Sequence, residues 1–348
     1  MSDQEYDDQE EEEMDYDEEE DGDELAPLPT EEDSDDDENL ESFRVALKPR
    51  CNLLKSVKEF RTNEKVGSVE LDVYKNFFKD AVEEEIHALF DSLGRSKHLH
   101  QLTFASKGSA IQSIPVTLLS HFFTYANALR EFRSMHIKWK GTAEEFQELA
   151  SIVGDHPRLQ VLQLYVESLD ALEPAVAAVG RIPTLREVDI HTANAAKDKE
   201  GLVVALQALC TSKSLEICKL SNVALNFKIL TSMAKLLSAN TTLRDLFIEA
   251  VELDLNGGMA MASMVAANAG LTRFVLKLDK MHATKLGEEF IHALQTNHTL
   301  QYFQIILDGR MSDMKVVRTM QLAFRELKDT YKVTSQVGLS MGVICERI

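Results

Sequence analysis

The stretch "SANTTLRDLFIEA" (residues 238–250) carries two patterns at once. Its first half closes a run with helical spacing (Met233, Leu236, Leu237), and its second half alternates apolar and polar residues as a strand does. The same hand-over returns in "AANAGLTRFVLKL" (266–278) and "QTNHTLQYFQIIL" (295–307). With the Leu of TTLRDLFI as position zero, apolar residues fall at 0, +3 and +5, and another falls at −6. Leu243-Leu246-Ile248 is matched by Leu99-Leu102-Phe104, Leu159-Leu162-Leu164, Leu185-Val188-Ile190, Leu215-Cys218-Leu220, Leu271-Phe274-Leu276 and Leu300-Phe303-Ile305. Leu129-Phe132 belongs too, although Ser134 breaks its +5 position, and Val66-Val69-Leu71 is an earlier copy. Asn240, Asn268 and Asn297 all stand at −3, where a residue that tolerates the left-handed conformation suits the end of a helix.

A unit of one strand and one helix in about thirty residues cannot bury its own apolar side, so successive units must stack. The expected fold class is α/β: a curved solenoid with parallel strands on the concave side and helices on the convex side. Period and anchor pattern resemble the ribonuclease-inhibitor-like class of leucine-rich repeats over residues 66–327, in eight to nine units. One departure stands out. The class usually has Asn or Cys at +8, where this sequence has Lys107, Ile137, Glu167, Ala193, Val223, Val251, Asp279 and Asp308. An all-helical solenoid does not fit, because "LQVLQLYV" and "LQYFQIIL" alternate throughout the strand span.

Charge is concentrated at one end. Residues 1–41 hold 24 of the 58 acids and none of the 37 bases, which leaves residues 42–348 near neutral. Such a segment repels itself and has little to bury, so it is expected to be disordered. Residues 42–65 are basic, and Leu53, Leu54, Val57 and Phe60 at helical spacing predict a capping helix over about Asn52–Arg61. Residues 328–348 are expected to close the other end. No secretory start and no apolar run long enough for a membrane helix is present, and the four cysteines form no C-x-x-C pair. Together these predict reduced thiols, no membrane association, and a cytoplasmic or nuclear setting; the sequons at Asn240 and Asn297 are then chance matches.

Nothing in the chain carries the signature of an enzyme. Walker-type, G-x-G-x-x-G, H-E-x-x-H and G-x-S-x-G motifs are absent, so no catalytic residue, cofactor or metal is expected. "DSDDDENLESFR" (33–44) begins like a calcium loop, yet it lacks the Gly at its sixth position and has Arg44 where a bidentate Glu belongs. Ten scattered histidines, among them His156, His292 and His298 near unit junctions, read as solvated or hydrogen-bonded. Thr30 and Ser34 each precede an acid by three residues, the pattern an acidophilic kinase accepts. For the acidic arm itself the readings are solubility, contact with basic proteins, or folding back onto the basic segment 43–65 beside it, and nucleic acid is disfavoured as a partner.

On each strand the +2, +4 and +6 side chains should point into the concavity. There Asp245 faces Arg273 and Glu249 faces Lys277, while Phe247, Val275, Tyr302 and Ile306 form an apolar cluster on a surface expected to be wet. Arg273, Lys277 and, further along, Tyr165 complete the candidate protein-binding face. The expected function is a non-enzymatic scaffold for a protein partner. The resemblance implies a second reading, a regulator of a small GTPase or of a cytoskeletal polymer end, since the class includes Ran-GTPase activators and tropomodulin-type actin caps. Against it, the Ran activators' acidic tail is C-terminal, and no loop here matches their functional residues. A third reading is an acidic, histone-type chaperone. The core placement has a direct check: Leu246→Ala should cost about 2–5 kcal/mol in a denaturant titration.

Overall fold

The computed structural model describes residues 40–49, 51–107, 112–166, 176–192, 200–223, 227–250, 255–278, 283–308, 313–336 and 340–348. They belong to the second of the chain's two units, Asn39–Ile348; the first is Met1–Glu38. Most of the acidic arm, Thr30 and Ser34 therefore lie outside the described residues.

The alternating stretches form the strands of one sheet. In chain order these are β1 (Glu41–Leu47), β2 (Val66–Tyr74), β3 (Gln101–Lys107), β4 (Gln112–Pro115), β5 (Glu131–Lys140), β6 (Val161–Val166) and β7 (Glu187–Thr192), followed by β8 (Ile217–Val223), β9 (Asp245–Ala250), β10 (Arg273–Leu278), β11 (Tyr302–Asp308), β12 (Tyr331–Gln336) and β13 (Ser340–Arg347). The sheet order is β1-β2-β3-β5-β6-β7-β8-β9-β10-β11-β13-β12, with β4 paired to β5 off this path. From β1 to β11 each strand runs parallel to its neighbour, and a helical segment lies between most successive pairs. This is the strand-and-helix stack of a leucine-rich-repeat-like solenoid.

Register follows the anchor pattern. Leu246 lies opposite Cys218 and Phe274, and Ile248 opposite Leu220 and Leu276, so the +3 and +5 residues form two continuous buried rows. The −6 residues Phe60, Leu93, Phe123, Val153, Val179, Leu209, Leu237, Val265 and Leu294 are buried too. The break at Ser134 has a physical purpose. Its small side chain leaves room for Trp139, which is fully buried against Phe104 and Phe132 and donates its indole N–H to Ser134 Oγ at 2.8 Å.

Three expectations change at the ends and junctions. First, the helix Leu53–Thr62, with Asn52 as its N-cap, is not a separate cap. It connects β1 to β2, and Phe60 is the −6 residue of the Val66 anchor, with its ring 6.4 Å from Phe43. Leu40-Phe43-Val45 repeats the anchor pattern one unit earlier than the sequence reading placed it, and Phe43 and Val45 lie opposite Val69 and Leu71. Leu40 packs so closely on Gly67 that a Cβ there would lie 2.6 Å from the Leu40 Cβ. This copy was hidden because its first residues are embedded in the acid-rich segment. Second, the C-terminal closure is a pair of antiparallel strands, in which β13 pairs with β11 and β12 takes the edge. Gly342 permits this approach, since a Cβ there would meet the Ile305 carbonyl oxygen at 2.2 Å.

Third, the −3 asparagines are not left-handed residues. Among the described residues the non-glycines with positive φ are Asn76 and Asn222. Asn268 instead donates its amide N–H groups to the carbonyls of Leu237 and Asn240 in the preceding turn, and its Oδ1 accepts from the N–H groups of Gly270 and Leu271. Asn297 repeats this one unit on, reaching the carbonyls of Val265 and Asn268, and Asn240 reaches those of Cys210 and Ser212. His156 does the same with an imidazole. Nε2 lies 2.9 Å from the Ala126 carbonyl, which can only accept, so Nε2 carries the proton and Nδ1 accepts from the N–H of Leu159 at 3.1 Å. Arg347 ends the series by donating to the carbonyls of Asn297 and His298.

These side chains satisfy backbone groups that would otherwise be buried and unpaired. Asn268→Ala strips partners from up to four of them and should cost about 3–5 kcal/mol in a denaturant titration. A cost no larger than that of an exposed Asn→Ala would contradict this role. His156 gives a pH signature. Burial lowers its pKa below the ordinary 6.5, with the Ala126 bond opposing the shift, so the unfolded chain takes up a proton that the folded chain refuses. Its stabilisation is therefore complete above the unfolded value and lost as pH falls through it toward the folded value. Between about pH 7 and pH 5 the native chain should lose more stability than His156→Asn, which keeps both donor and acceptor; equal losses would refute the neutral-histidine bridge.

Candidate functional site on the open face of the sheet

With the +3 and +5 residues buried, most of the +2, +4 and +6 side chains are left half-buried or exposed on the opposite face. Three rows cross the C-terminal strands. The +2 row runs Ile217, Asp245, Arg273, Tyr302, Glu346; the +4 row Lys219, Phe247, Val275, Gln304, Ile344; the +6 row Glu249, Lys277, Ile306, Gly342.

From β1 to β8 this face is largely a lattice of polar pairs. Arg44 grips Asp72 through Nε at 2.7 Å, and Lys107 reaches the same carboxylate at 3.0 Å. Burial acts to raise the Asp72 pKa, but the hydrogen bonds and charges of Arg44 and Lys107 outweigh it and hold the carboxyl below its usual range. Glu187 binds Lys219 at 2.8 Å, and Gln163 donates to Asp189 at 2.9 Å. Asp189 is held above its usual range, because burial outweighs the help of Gln163 and Lys219. Val161 and Ile217 stand singly between acids, Glu131 and Glu187 for the first, Glu187 and Asp245 for the second.

The character changes at β9. Arg273 pairs with Asp245 at 3.0 Å and Lys277 with Glu249 at 2.5 Å, the two cross-strand braces expected from the sequence. Phe247, Tyr302 and Ile306 are half-buried beside them, within the span of three strands. Arg273 lies over the Tyr302 ring, 5.0 Å from its centroid, and the Tyr302 hydroxyl donates to Gln304 Oε1 at 2.8 Å. Burial raises the Tyr302 pKa against the opposing pull of Arg273, so the phenol stays a neutral donor.

Two expected members of the face do not belong to its accessible surface. Val275 is only 2% exposed. It is flanked by Phe247 and Gln304 on the neighbouring strands and bracketed on its own strand by the paired Arg273 and Lys277. Tyr165, at 6%, lies four strands away on β6, with its ring 4.6 Å from His191 beside the irregular β5–β6 register. The sequence reading also missed Ile344 and Glu346. The C-terminal hairpin continues the sheet instead of folding over it, so Ile344 arrives opposite Gln304 and Glu346 opposite Tyr302. Alternation in "SMGVICER", where Val343 and Cys345 are buried and Ile344 is half-buried, is the signal that could have found them.

Among the described residues no group of three or more His, Cys, Asp or Glu side chains is placed to hold a metal ion, and no helix is long and apolar enough to cross a membrane. The cysteines are free; burial pushes the thiols of Cys210 and Cys345 up to about 12 and that of Cys218 higher still. Asn297 is buried and its amide is committed to the backbone, as is that of the half-buried Asn240.

No protein-family model matches the chain, and no curated protein matches it. Among solved structures, leiomodin-1 actin-binding site 2 is 20% identical over 46% of this chain and 92% of its own, with a TM-score of 0.33. The crystal structure of a TLR13–ssRNA13 complex is 12% identical over 77% of this chain and 36% of that one, with a TM-score of 0.40. The tropomodulin C-terminal domain of Caenorhabditis elegans is 12% identical over 71% of this chain and 93% of that one, with a TM-score of 0.19. All three likenesses are distant, and the chain's architecture rests on its own strands, register and buried rows.

Proposed function

We propose that this chain is a non-enzymatic protein-binding scaffold of the ribonuclease-inhibitor-like repeat class, and that its partner docks on the open face between β9 and β13. One observation carries the reading: Phe247, Tyr302, Ile306 and Ile344 are half-buried apolar side chains collected at one end of a face that is largely polar elsewhere, where Val161 and Ile217 stand singly between acids. Aromatic and aliphatic side chains framed by charge are the make-up of contact hot spots. The Asp245–Arg273 and Glu249–Lys277 pairs hold this surface in shape, each contributing about 0.2–1 kcal/mol, and leave the apolar groups as the surface a partner would cover. The acidic arm serves solubility or contacts basic proteins, and the setting is cytoplasmic or nuclear.

Phe247→Ala with Tyr302→Ala tests it. Each substitution should cost at most about 1 kcal/mol of stability, well below Leu246→Ala, because both side chains are already half in water. Affinity capture from cell extract with native and doubly substituted full-length chains should then show a partner that only the native chain retains. An identical set of retained proteins, with the variant folded, would refute this face as the contact.

A further inference from the structure

The closing hairpin does not abolish the edge of the sheet; it moves it from β11 to β12. Pairing along the hairpin decides which backbone groups of β12 are left over. The N–H of Ile348 donates to the Thr330 carbonyl, while that of Arg347 donates to Gln301 on the other side. Bonded pairs alternate in an antiparallel ladder, so Lys332 with Glu346 and Thr334 with Ile344 exchange bonds between β12 and β13. Tyr331, Val333 and Ser335 therefore turn their N–H and C=O groups away from β13, where no further strand lies among the described residues.

An edge strand is usually defended by a bulge, a proline or several charges. The register of β12 with β13 is unbroken from Tyr331 to Gln336, the strand has no proline, and Lys332 is its only charge. Its side chains are equally unfinished. Phe274, Phe303, Cys345 and Val333 lie in one row across β10, β11, β13 and β12, buried as far as Cys345 and half-buried at Val333. The apolar row thus stops one strand short of full cover. At the other end of the sheet β1 differs: Glu41, Ser42 and Arg44 are exposed along it, and the acid-rich residues directly precede it in the chain.

We propose that β12 pairs antiparallel with β12 of a second copy of this chain, about a twofold axis at Val333. The two Val333 residues exchange main-chain bonds, and Tyr331 exchanges them with Ser335 of the second copy. An axis perpendicular to the sheet keeps the helices of both copies on one side, so the buried row runs on from Val333 into its counterpart. On the open face Lys332 then lies opposite Thr334 of the second copy, and no like charges are directly opposed. Centring the pair one residue earlier would oppose the two lysines and bring together backbone groups that already face β13. The acid-rich residues of each copy lead into β1, at the far end of the strand order, so this contact does not join the strands they precede. With one edge open and the other charged, association closes at two chains. The open face of β9 to β13 stays free, and the dimer does not depend on what binds there.

Sedimentation equilibrium of the full-length chain tests the proposal, at about 0.3 M salt so that its net charge is screened. One pair of short strands is a small interface, so the mass should rise from one chain towards two between about 5 and 500 μM. Ser335→Pro removes an N–H that faces away from β13, where an edge strand accepts proline, and should weaken dimerisation about tenfold or more. Leu322→Ser should leave it unchanged. Leu322 is 60% exposed on the helix Asp313–Phe324, but it lies about half a turn from the buried Met320 and Phe324 and so points away from the sheet. If Ser335→Pro unfolds, Val333→Lys takes its place; it sets two lysines together across the axis and should weaken the dimer by about tenfold too. Hydrogen exchange of the native chain needs no substitution: the Val333 and Ser335 amides should slow as concentration rises. The proposal fails if the chain stays monomeric throughout, or if its mass climbs past two chains. It fails equally if the dimer survives the edge substitutions, if Leu322→Ser abolishes it, or if those two amides exchange at a rate independent of concentration.

Discussion

Where a helix gives way to a strand, backbone carbonyls and N–H groups are trapped between two apolar layers, and each must find a partner. Regular ladders cannot supply these bonds, because the chain is turning. Side chains supply them instead, reaching back one unit from Asn240, Asn268 and Asn297 and from the imidazole of His156. One amide fits because it donates to the preceding turn while accepting from its own. It therefore bonds neighbouring units to each other and sets their spacing at the same time. Neutral histidine has the same two faculties, which explains its place at the same position of a different unit.

The ends of the stack face a related difficulty, since an outermost strand has no neighbour on one side. At the N-terminus β1 adds one more parallel strand, with its edge rich in exposed polar side chains. At the C-terminus the chain reverses, and β13 pairs antiparallel to β11. Arg347 then offers guanidinium N–H groups to the turn that a further asparagine would otherwise have bonded, and Tyr331 donates its hydroxyl to the Leu300 carbonyl. The closing hairpin thus completes both the sheet and the line of turn bonds.

The same geometry distributes functional character. Side chains directed to the helices must be apolar, so chemical variety is confined to the open face and to the turns. On the open face, cross-strand pairing consumes most charges among themselves and leaves Phe247, Tyr302, Ile306 and Ile344 as the unbalanced group. At the turns, bases recur ahead of successive strands, as Arg130, Arg158, Arg186, Lys213 and Arg244. Parallel stacking makes such rows by bringing residues almost thirty positions apart side by side.

Much of this was legible in the sequence. The 0, +3, +5 and −6 pattern identifies the repeat, the strands and the buried rows, because each depends on the alternation of a strand or the turn of a helix within a few residues. Facing followed as well, and so the pairing of Asp245 with Arg273 and Glu249 with Lys277 could be read in advance. Tertiary structure alone decided the rest. It gave the −3 asparagines their bonding role in place of a left-handed turn, made the first helix part of a repeat, buried Val275 and Tyr165, and laid Ile344 beside the open face. Each of these depends on which strand lies next to which and on the backbone groups it leaves unpaired. Residues that far apart in the chain carry no local trace of that adjacency.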